Sequence, residues 1–149
     1  MSFGLLENNF LFKSIGFVQP PSPITVNEST SIKDAVFLMK KHNIGCCLVV
    51  KPDGKLCGIV SERDIVQKVV LNDVDLQERV STIMIKDPQT TKITATVAHV
   101  LNLMSEGNYR HIPLVDKEDI PVGIVSVKSI IIFISKQLAK GLGLGITKK

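Results

Sequence analysis

The stretch "GIVSERDI", Gly58 to Ile65, returns 65 residues later as "GIVSVKSI", Gly123 to Ile130. Aligning the chain with itself at this offset, without a gap, gives eleven identical positions between residues 23 and 65. So many matches indicate two copies of one unit. A unit of about 50 residues buries too little apolar surface to be stable alone. We therefore expect the two copies to pack against each other.

Each copy contains an amphipathic helix. The segment "TSIKDAVFLMKKHN", residues 30 to 43, and its counterpart both carry apolar residues at positions i, i+3, i+4 and i+7. These residues are Ile32, Ala35, Val36 and Met39 in the first copy, and Val97, Val100, Leu101 and Met104 in the second. Ser31, with Asp34 three residues later, has the pattern of a capping box. The first helix is therefore predicted to begin just after Ser31.

A β-hairpin is predicted after each of these helices. In the first copy, "CCLVV" and "LCGIV" flank "KPDGK", whose Pro-Asp-Gly is a turn signal. In the second copy, "HIPLV" and "PVGIV" flank "DKEDI". Helical spacing then returns in "IVQKVV", so we predict a helix for its aligned partner "IIIFI", although β-branched residues favour strands. Each copy reads strand, helix, strand, strand, helix, which is an α+β (α/β) fold.

Composition narrows the class of protein. The chain has 149 residues, of which 44% are hydrophobic and 21% charged, as in globular domains. Its net charge of +4 is spread along the chain, whereas a nucleic-acid-binding protein usually has a denser basic face, so no nucleic-acid partner is expected. The longest apolar run near the C-terminus, "SIIIFIS", is too short for a membrane span, and none is expected.

The three cysteines and the first residues bear on localisation. Cys46, Cys47 and Cys57 have no zinc-site spacing, so we expect buried, reduced strand residues. The start "MSFGLLENNF" lacks the basic region of a signal peptide. A reducing cytoplasm is the expected location.

The repeat also predicts domain limits. An aromatic-rich extension at residues 1–20 is expected to dock on its own module or on a partner. It holds Phe3, Phe10, Phe12 and Phe17. Repeat 1 is predicted at 21–72, a connector at 73–87, repeat 2 at 88–137 and a flexible tail at 138–149.

The segment "DPQTTKITATVAHVLNLMSEGNYRHIPLVD", residues 87–116, leads into "GIVS", and the same order occurs one copy earlier. Over residues 20 to 137 the chain resembles a cystathionine β-synthase (CBS) domain pair, also called a Bateman module. The resemblance implies two repeats packed by pseudo-two-fold symmetry, with two clefts between them. It also implies adenosine-containing ligands, dimerisation into a flat disk and regulation of an attached or partner protein.

The ligand motif of that family is Gly-h-x-Ser/Thr-x-x-Asp, where h is apolar, and Gly58, Ser61 and Asp64 satisfy it. The resemblance implies that Ser61 and Asp64 hold the ribose, because a carboxylate offers two acceptor oxygens to two neighbouring hydroxyls. The residues alone equally allow Ser61 and Asp64 to form a plain capping box.

The remaining site residues are also implied by the resemblance. Arg110, His111 and Lys128 would contact phosphate in the cleft of Asp64, although Arg110 and His111 by themselves also fit a solvated strand end. The adenine would lie near Gly58, Ile59, Gln89 and Thr90. The other cleft would hold Thr25, Val26, Ser126 and Ser129, and because it lacks a carboxylate we expect it to be empty or weak.

The expected function is that of a stand-alone regulatory module that is not an enzyme. It would form a homodimer, bind AMP, ADP or ATP in one cleft and signal occupancy to a partner protein. S-adenosylmethionine and NAD are further ligands that the resemblance implies. Neither a metal site nor a nucleophile paired with a base appears at a telling spacing. The alternative is a docking or dimerisation module with two degenerate clefts and no ligand.

Overall fold

The computed structural model describes residues 9 to 143. Its helices are α1 Asn9–Phe12, α2 Ile32–His42, α3 Glu62–Asp64, α4 Val97–Gly107 and α5 Val127–Gly141. Its strands are β1 Thr25–Asn27, β2 Cys46–Val50, β3 Leu56–Ser61, β4 Ile85–Lys86, β5 His111–Val115 and β6 Pro121–Ser126. Helix α3 continues as a π turn, Ile65–Val69, and a 3-10 turn, Val70–Asn72.

Capping side chains define the two amphipathic helices. The Ser31 hydroxyl accepts a hydrogen bond from the Asp34 N–H at 3.0 Å, and Thr96 does the same for His99 at 3.1 Å. Each helix ends at an asparagine in the left-handed conformation, which suits that residue. Both helices and both hairpins are confirmed. The "IIIFI" run lies within α5, so the helical prediction made from its aligned partner is also confirmed.

The two repeats form sheets of unequal size. Strands β1 to β4 make one sheet in that order, with β1 parallel to β2 and the other pairs antiparallel, whereas β5 and β6 pair alone. In repeat 1 the Leu48 N–H donates to the Ile24 carbonyl at 3.0 Å. The residue 65 positions after Leu48 is Pro113, which has no N–H. The strand predicted to open repeat 2 is therefore reduced to one bridge, between Thr91 and Leu114.

Prolines also explain why the second sheet lacks a counterpart of β4. Pro20 and Pro21 stand 65 positions before Ile85 and Lys86, the two residues of β4. Because proline cannot donate to a ladder, the contact with β6 is limited to the Ile124 N–H, which donates to the Pro21 carbonyl at 3.3 Å.

The segment before each repeat packs on the opposite repeat. The Ile15 N–H donates to Ala95 of repeat 2 at 2.6 Å, and the Val80 N–H donates to Thr30 of repeat 1 at 2.8 Å. Ile15 and Val80 are 65 residues apart, and both are fully buried, each in the core of the repeat that it joins. The structural duplication thus reaches back to Ile15, and this exchange ties the two repeats together.

Apolar side chains also join the two sheets. Cys46, Leu48 and Ile59 of the first sheet pack with Ile124 of the second. All three cysteines are buried and free, as the sequence predicts. This contact places β2 and β3 of the first hairpin, and β6 of the second, near the boundary between the repeats.

The N-terminal extension docks only in part. Phe10 meets Phe133 of α5 edge-on, with ring centroids 6.3 Å apart. Phe12 and Phe17 remain 73% and 59% exposed, and Phe3 lies outside the described residues. Docking on the chain's own module therefore holds for Phe10. Among the helices of residues 9 to 143, none is long and apolar enough to cross a membrane.

Candidate functional site

A cavity of about 1060 Å³ lies between the two repeats. Repeat 1 contributes polar groups from Ser22, Lys40, Asn43, Cys46 and Glu62. Repeat 2 contributes Arg110, His111, Ser126, Lys128 and Ser129. Apolar walls come from Ile24, Val36, Met39, Leu48, Ile65, Val66 and Ile124. A cleft of this volume, mostly apolar with a few polar groups, is the usual form of a site for a ligand of nucleotide size.

The same backbone contact in each repeat brings these side chains together. The Val127 N–H donates to the Arg110 carbonyl at 3.0 Å, and 65 positions earlier the Glu62 N–H donates to Gly45 at the same distance. His111 also faces Ser126 in the register of β5 and β6. The start of each hairpin therefore lies beside the turn that follows it. Repeat 2 supplies cations there, and repeat 1 supplies the Glu62 carboxylate.

His111 lies between groups of opposite charge. Burial lowers the pKa of its imidazole below the usual value, Glu62 acts in the opposite sense, and Arg110 adds to the lowering. A methyl group at Gly45 would lie 3.5 Å from Cε1 and from Nε2 of His111, and 3.8 Å from Oε2 of Glu62. At neutral pH His111 is therefore a neutral hydrogen-bonding group, and Arg110 and Lys128 carry the positive charge of repeat 2 in the cavity.

The capping box at the start of α5 uses the Ser129 side chain. Its hydroxyl accepts from the Ser126 N–H at 3.1 Å and donates to the Ser126 carbonyl at 2.8 Å. The Ser126 hydroxyl accepts from the Ser129 N–H at 3.1 Å. Because a serine has one side-chain oxygen, the cap occupies the only side-chain acceptor atom of Ser129.

Asp64 forms the matching capping box in repeat 1 and has a second oxygen left. Its Oδ2 accepts from the Ser61 N–H at 2.9 Å and from the Ser61 hydroxyl at 3.0 Å. Its Oδ1 lies 3.0 Å from Nζ of Lys68, which also donates to the Ile83 carbonyl at 2.8 Å. The capping box anticipated for Ser61 and Asp64 is thus present, and Lys68 is the partner of the remaining oxygen.

The structure groups the predicted site residues differently from the sequence. Arg110, His111 and Lys128 share a cavity with Ser126 and Ser129. The predicted residues that do not line this cavity are Thr25, Val26, Gly58, Ile59, Ser61, Asp64, Gln89 and Thr90. Ribose binding by Asp64, and an empty or weak cleft at Ser126 and Ser129, stay predictions.

Close packing occupies the space above the first motif. A Cβ on Gly58 would overlap Sδ of Met84 and lie 3.2 Å from the Ile85 carbonyl oxygen. Asp64 below it is only 4% exposed. The segment that carries β4 thus covers the side of the first motif where the adenine was predicted.

Sequence reasoning missed the polar cavity residues Ser22, Lys40, Asn43 and Glu62. Glu62 lies inside the stretch Gly58 to Ile65, but only the packing of the two repeats places it in the cavity beside Arg110 and His111. Among the residues that the structure describes, no cluster of His, Cys, Asp and Glu is arranged to hold a metal ion.

Two similar repeats, each packed on the segment that precedes the other, with a cavity between them, define a tandem-repeat module. The sequence model of the CBS domain matches residues 18–71 and 80–136, and the chain belongs to this family. A solved CBS domain pair of protein MJ0100, bound to 5-methylthioadenosine and S-adenosyl-L-methionine, is 28% identical with a TM-score of 0.77. That likeness covers 85% of this chain and 98% of the other.

Sequence relatives include proteins with more than this module. An uncharacterized 17.7 kDa protein of Acidianus ambivalens is 30% identical over 105 residues, which are 70% of this chain and 63% of that protein. The CBS domain-containing protein CBSCBSPB5 of Arabidopsis thaliana is 31% identical over 98 residues, 65% of this chain and 18% of its own length. The matched region thus covers less than two thirds of the length of the first relative and less than a fifth of the length of the second.

Proposed function

We propose that this chain is a regulatory module that binds an adenosine phosphate in the cavity between its repeats and signals occupancy to a partner protein. The observation that carries the proposal is the convergence of Arg110, His111 and Lys128 on one cavity of nucleotide size. Arginine and lysine recognise phosphate through charge-assisted hydrogen bonds. The similar MJ0100 domain pair binds two adenosine compounds, which supports the same ligand class here.

The charges favour phosphate over other adenosine ligands. Three cationic side chains, from Lys40, Arg110 and Lys128, line the cavity against one carboxylate, that of Glu62, and His111 adds a neutral hydrogen-bonding group. A sulfonium or ammonium group would meet this positive charge unfavourably, whereas a phosphate would gain from it. We therefore rank AMP, ADP and ATP above S-adenosylmethionine, with NAD between them. The adenine would pack on the apolar walls.

The Asp64 motif is a second, less open candidate for the ribose. Its spare oxygen is paired with Lys68, whose side chain is 40% exposed and is also tied to Ile83. A ribose could replace Lys68 only if that side chain turned into solvent. Because breaking the Lys68 contacts costs free energy, we expect the ligand to fill the cavity between the repeats before the Asp64 motif.

Calorimetric titration with AMP, ADP, ATP, NAD and S-adenosylmethionine tests the proposal. Replacing Arg110 or Lys128 by alanine should weaken nucleotide binding by about tenfold or more, since hydrogen bonds to charged groups contribute about 1.5 to 3 kcal/mol. Lys117, an exposed lysine in the β5 to β6 turn, is the matched control. Lys117→Ala should bind like the wild type.

A negative titration would favour the docking alternative. If no nucleotide produced heat, or if Arg110→Ala and Lys128→Ala bound as tightly as the wild type, the proposed site would be wrong. The exposed aromatic rings of Phe12 and Phe17 would then be the first candidates for a partner contact.

We further propose that the chain forms a homodimer through its helices. Val66 after α3 and Ile131 of α5 are 65 residues apart and are 55% and 56% exposed. Val70, Leu71 and Ile132 extend these apolar faces. Matching faces on the two repeats suit a self-complementary interface between two copies. Sedimentation equilibrium should show a dimer, and Val66→Asp together with Ile131→Asp should yield a monomer.

A further inference from the structure

A nucleoside bound in this cavity would need a hydrogen-bond acceptor for its ribose hydroxyls, and neither motif supplies one there. A ribose presents two neighbouring hydroxyls, and a carboxylate is well suited to accept from both. Repeat 2 has Ser129 at the position of the motif carboxylate, and the only side-chain oxygen of Ser129 is already engaged with Ser126. Asp64 does not line this cavity.

Glu62 is the one acidic side chain among the cavity-lining residues of the described chain. Its backbone is held by the hydrogen bond from the Glu62 N–H to the Gly45 carbonyl, and its Oε2 lies on the same side of Gly45 as the His111 ring. The side chain is exposed and has no ion-pair or hydrogen-bond partner within residues 9 to 143. Both carboxylate oxygens are thus available to a ligand.

We propose that Glu62 of repeat 1 is the ribose acceptor of this cavity, and that it supplies from across the boundary the carboxylate that Ser129 lacks. The inference rests on the proposed nucleotide function and deepens it. Phosphate is bound by side chains of repeat 2, and the hydroxyls by a side chain of repeat 1. One ligand then bridges the two repeats, so occupancy restrains their relative position.

The arrangement also predicts which ligands are selected. A nucleotide with both ribose hydroxyls donates two charge-assisted hydrogen bonds to the Glu62 carboxylate, whereas with an analogue that lacks them the carboxylate stays hydrated. The preference for a ribonucleotide over its dideoxy analogue therefore measures the contribution of Glu62. Changes in fold stability affect both ligands equally and cancel in this ratio.

The experiment compares AMP with its 2′,3′-dideoxy analogue by calorimetry in the full chain and in three variants. The wild type should prefer AMP by about tenfold or more. Glu62→Gln should lose most of this preference and keep its affinity for the dideoxy analogue within about twofold, since glutamine preserves size but offers one acceptor. Asp64→Asn tests the competing carboxylate, and Glu106→Gln, an exposed glutamate at the end of α4, controls for a lost surface charge.

Three results would overturn the inference. In the first, Glu62→Gln keeps the full preference for AMP. In the second, Asp64→Asn loses the preference while Glu62→Gln retains it, which would assign the ribose to the first motif. In the third, the wild type binds both ligands equally well. Failure of the proposed function itself looks different, because the wild type would then bind neither ligand.

Discussion

The two motif glycines should respond in opposite ways to the same substitution. Gly58 and Gly123 are aligned and are followed by the same three residues, yet their surroundings differ. A Cβ on Gly58 would overlap Sδ of Met84 and lie 3.0 Å from Cγ of Met84 and 3.2 Å from the Ile85 carbonyl oxygen. The methionine would have to change rotamer and β4 would have to move away from β3.

Gly123 has room for a methyl group. The nearest atoms to a Cβ there would be Cδ1 of Leu114 at 3.4 Å and Cβ of Pro20 at 3.5 Å, which are ordinary van der Waals distances. Alanine also restricts the unfolded chain more than glycine does. Gly123→Ala should therefore be neutral or slightly stabilising.

The magnitudes follow from the cost of overpacking. Inserting a methyl group into a well-packed region costs about 1 to 3 kcal/mol, which we expect for Gly58→Ala. For a chain of this size, each kcal/mol lowers the melting temperature by roughly 2 to 4 °C. Gly58→Ala should thus melt about 2 to 12 °C below the wild type, while Gly123→Ala stays within about 2 °C of it.

Thermal unfolding followed by circular dichroism measures both values, with urea unfolding as an independent check. Adding Met84→Ala to Gly58→Ala removes the overlapping side chain, so the two changes should cost less together than the sum of the single variants. Equal melting temperatures for Gly58→Ala and Gly123→Ala would show that the packing of β4 on β3 does not control the first motif.

Three further measurements address the cavity, a strand and the N-terminal helix. Because the pKa of His111 is lowered in the folded chain, the folded chain binds fewer protons than the unfolded chain as the pH falls through about 6.5. Protonation of His111 therefore favours the unfolded chain, and the free energy of unfolding should decrease as the pH falls. A bound phosphate raises that pKa, so calorimetry should show nucleotide affinity increasing from about pH 7.5 to 6, and His111→Gln should flatten the profile. Burial raises the pKa of Cys46 to about 12, so the reactive thiolate is scarce in the folded chain. Mass spectrometry should show that iodoacetamide alkylates Cys46 at least about 100-fold more slowly in the folded chain than in the urea-unfolded chain. Equal rates would contradict the burial of Cys46. Phe10→Ala should lower the melting temperature by about 2 to 5 °C through loss of the edge-on contact with Phe133, whereas Phe12→Ala should leave it unchanged; equal shifts would argue against docking of α1.

Local sequence was a good guide to the elements and a poor guide to their pairing. Apolar spacing and Ser31 predict α2, and the repeat itself assigns "IIIFI" to a helix against its β-branched composition. The unequal sheets could also be traced to the sequence, because Pro20, Pro21 and Pro113 remove backbone donors at defined positions. Their effect is visible only once the partner strands are known, since a missing N–H matters only where an acceptor faces it.

The sequence predicts several residues of the candidate site, but it does not predict which of them share one cavity. Arg110, His111 and Lys128 are found in one cavity, whereas their predicted companion Asp64 is paired with Lys68 and does not line it. In the sequence, Glu62 looks like an ordinary acidic residue of a helix N-terminus. Its placement depends on how repeat 1 faces repeat 2, which no local pattern encodes.

The sequence by itself determined the duplication, the order of elements in each copy and the contrast between Asp64 and Ser129. These are properties of local periodicity and of residue identity, which an internal alignment reads directly. Only the tertiary structure decided which copy has the open cleft. Met84 and β4 cover the first motif and Lys68 pairs with its carboxylate, while the prolines before repeat 1 leave the second motif less covered. The physical reason is that an open cleft is a volume left unfilled by side chains distant in sequence, and such a volume depends on how all of them pack together.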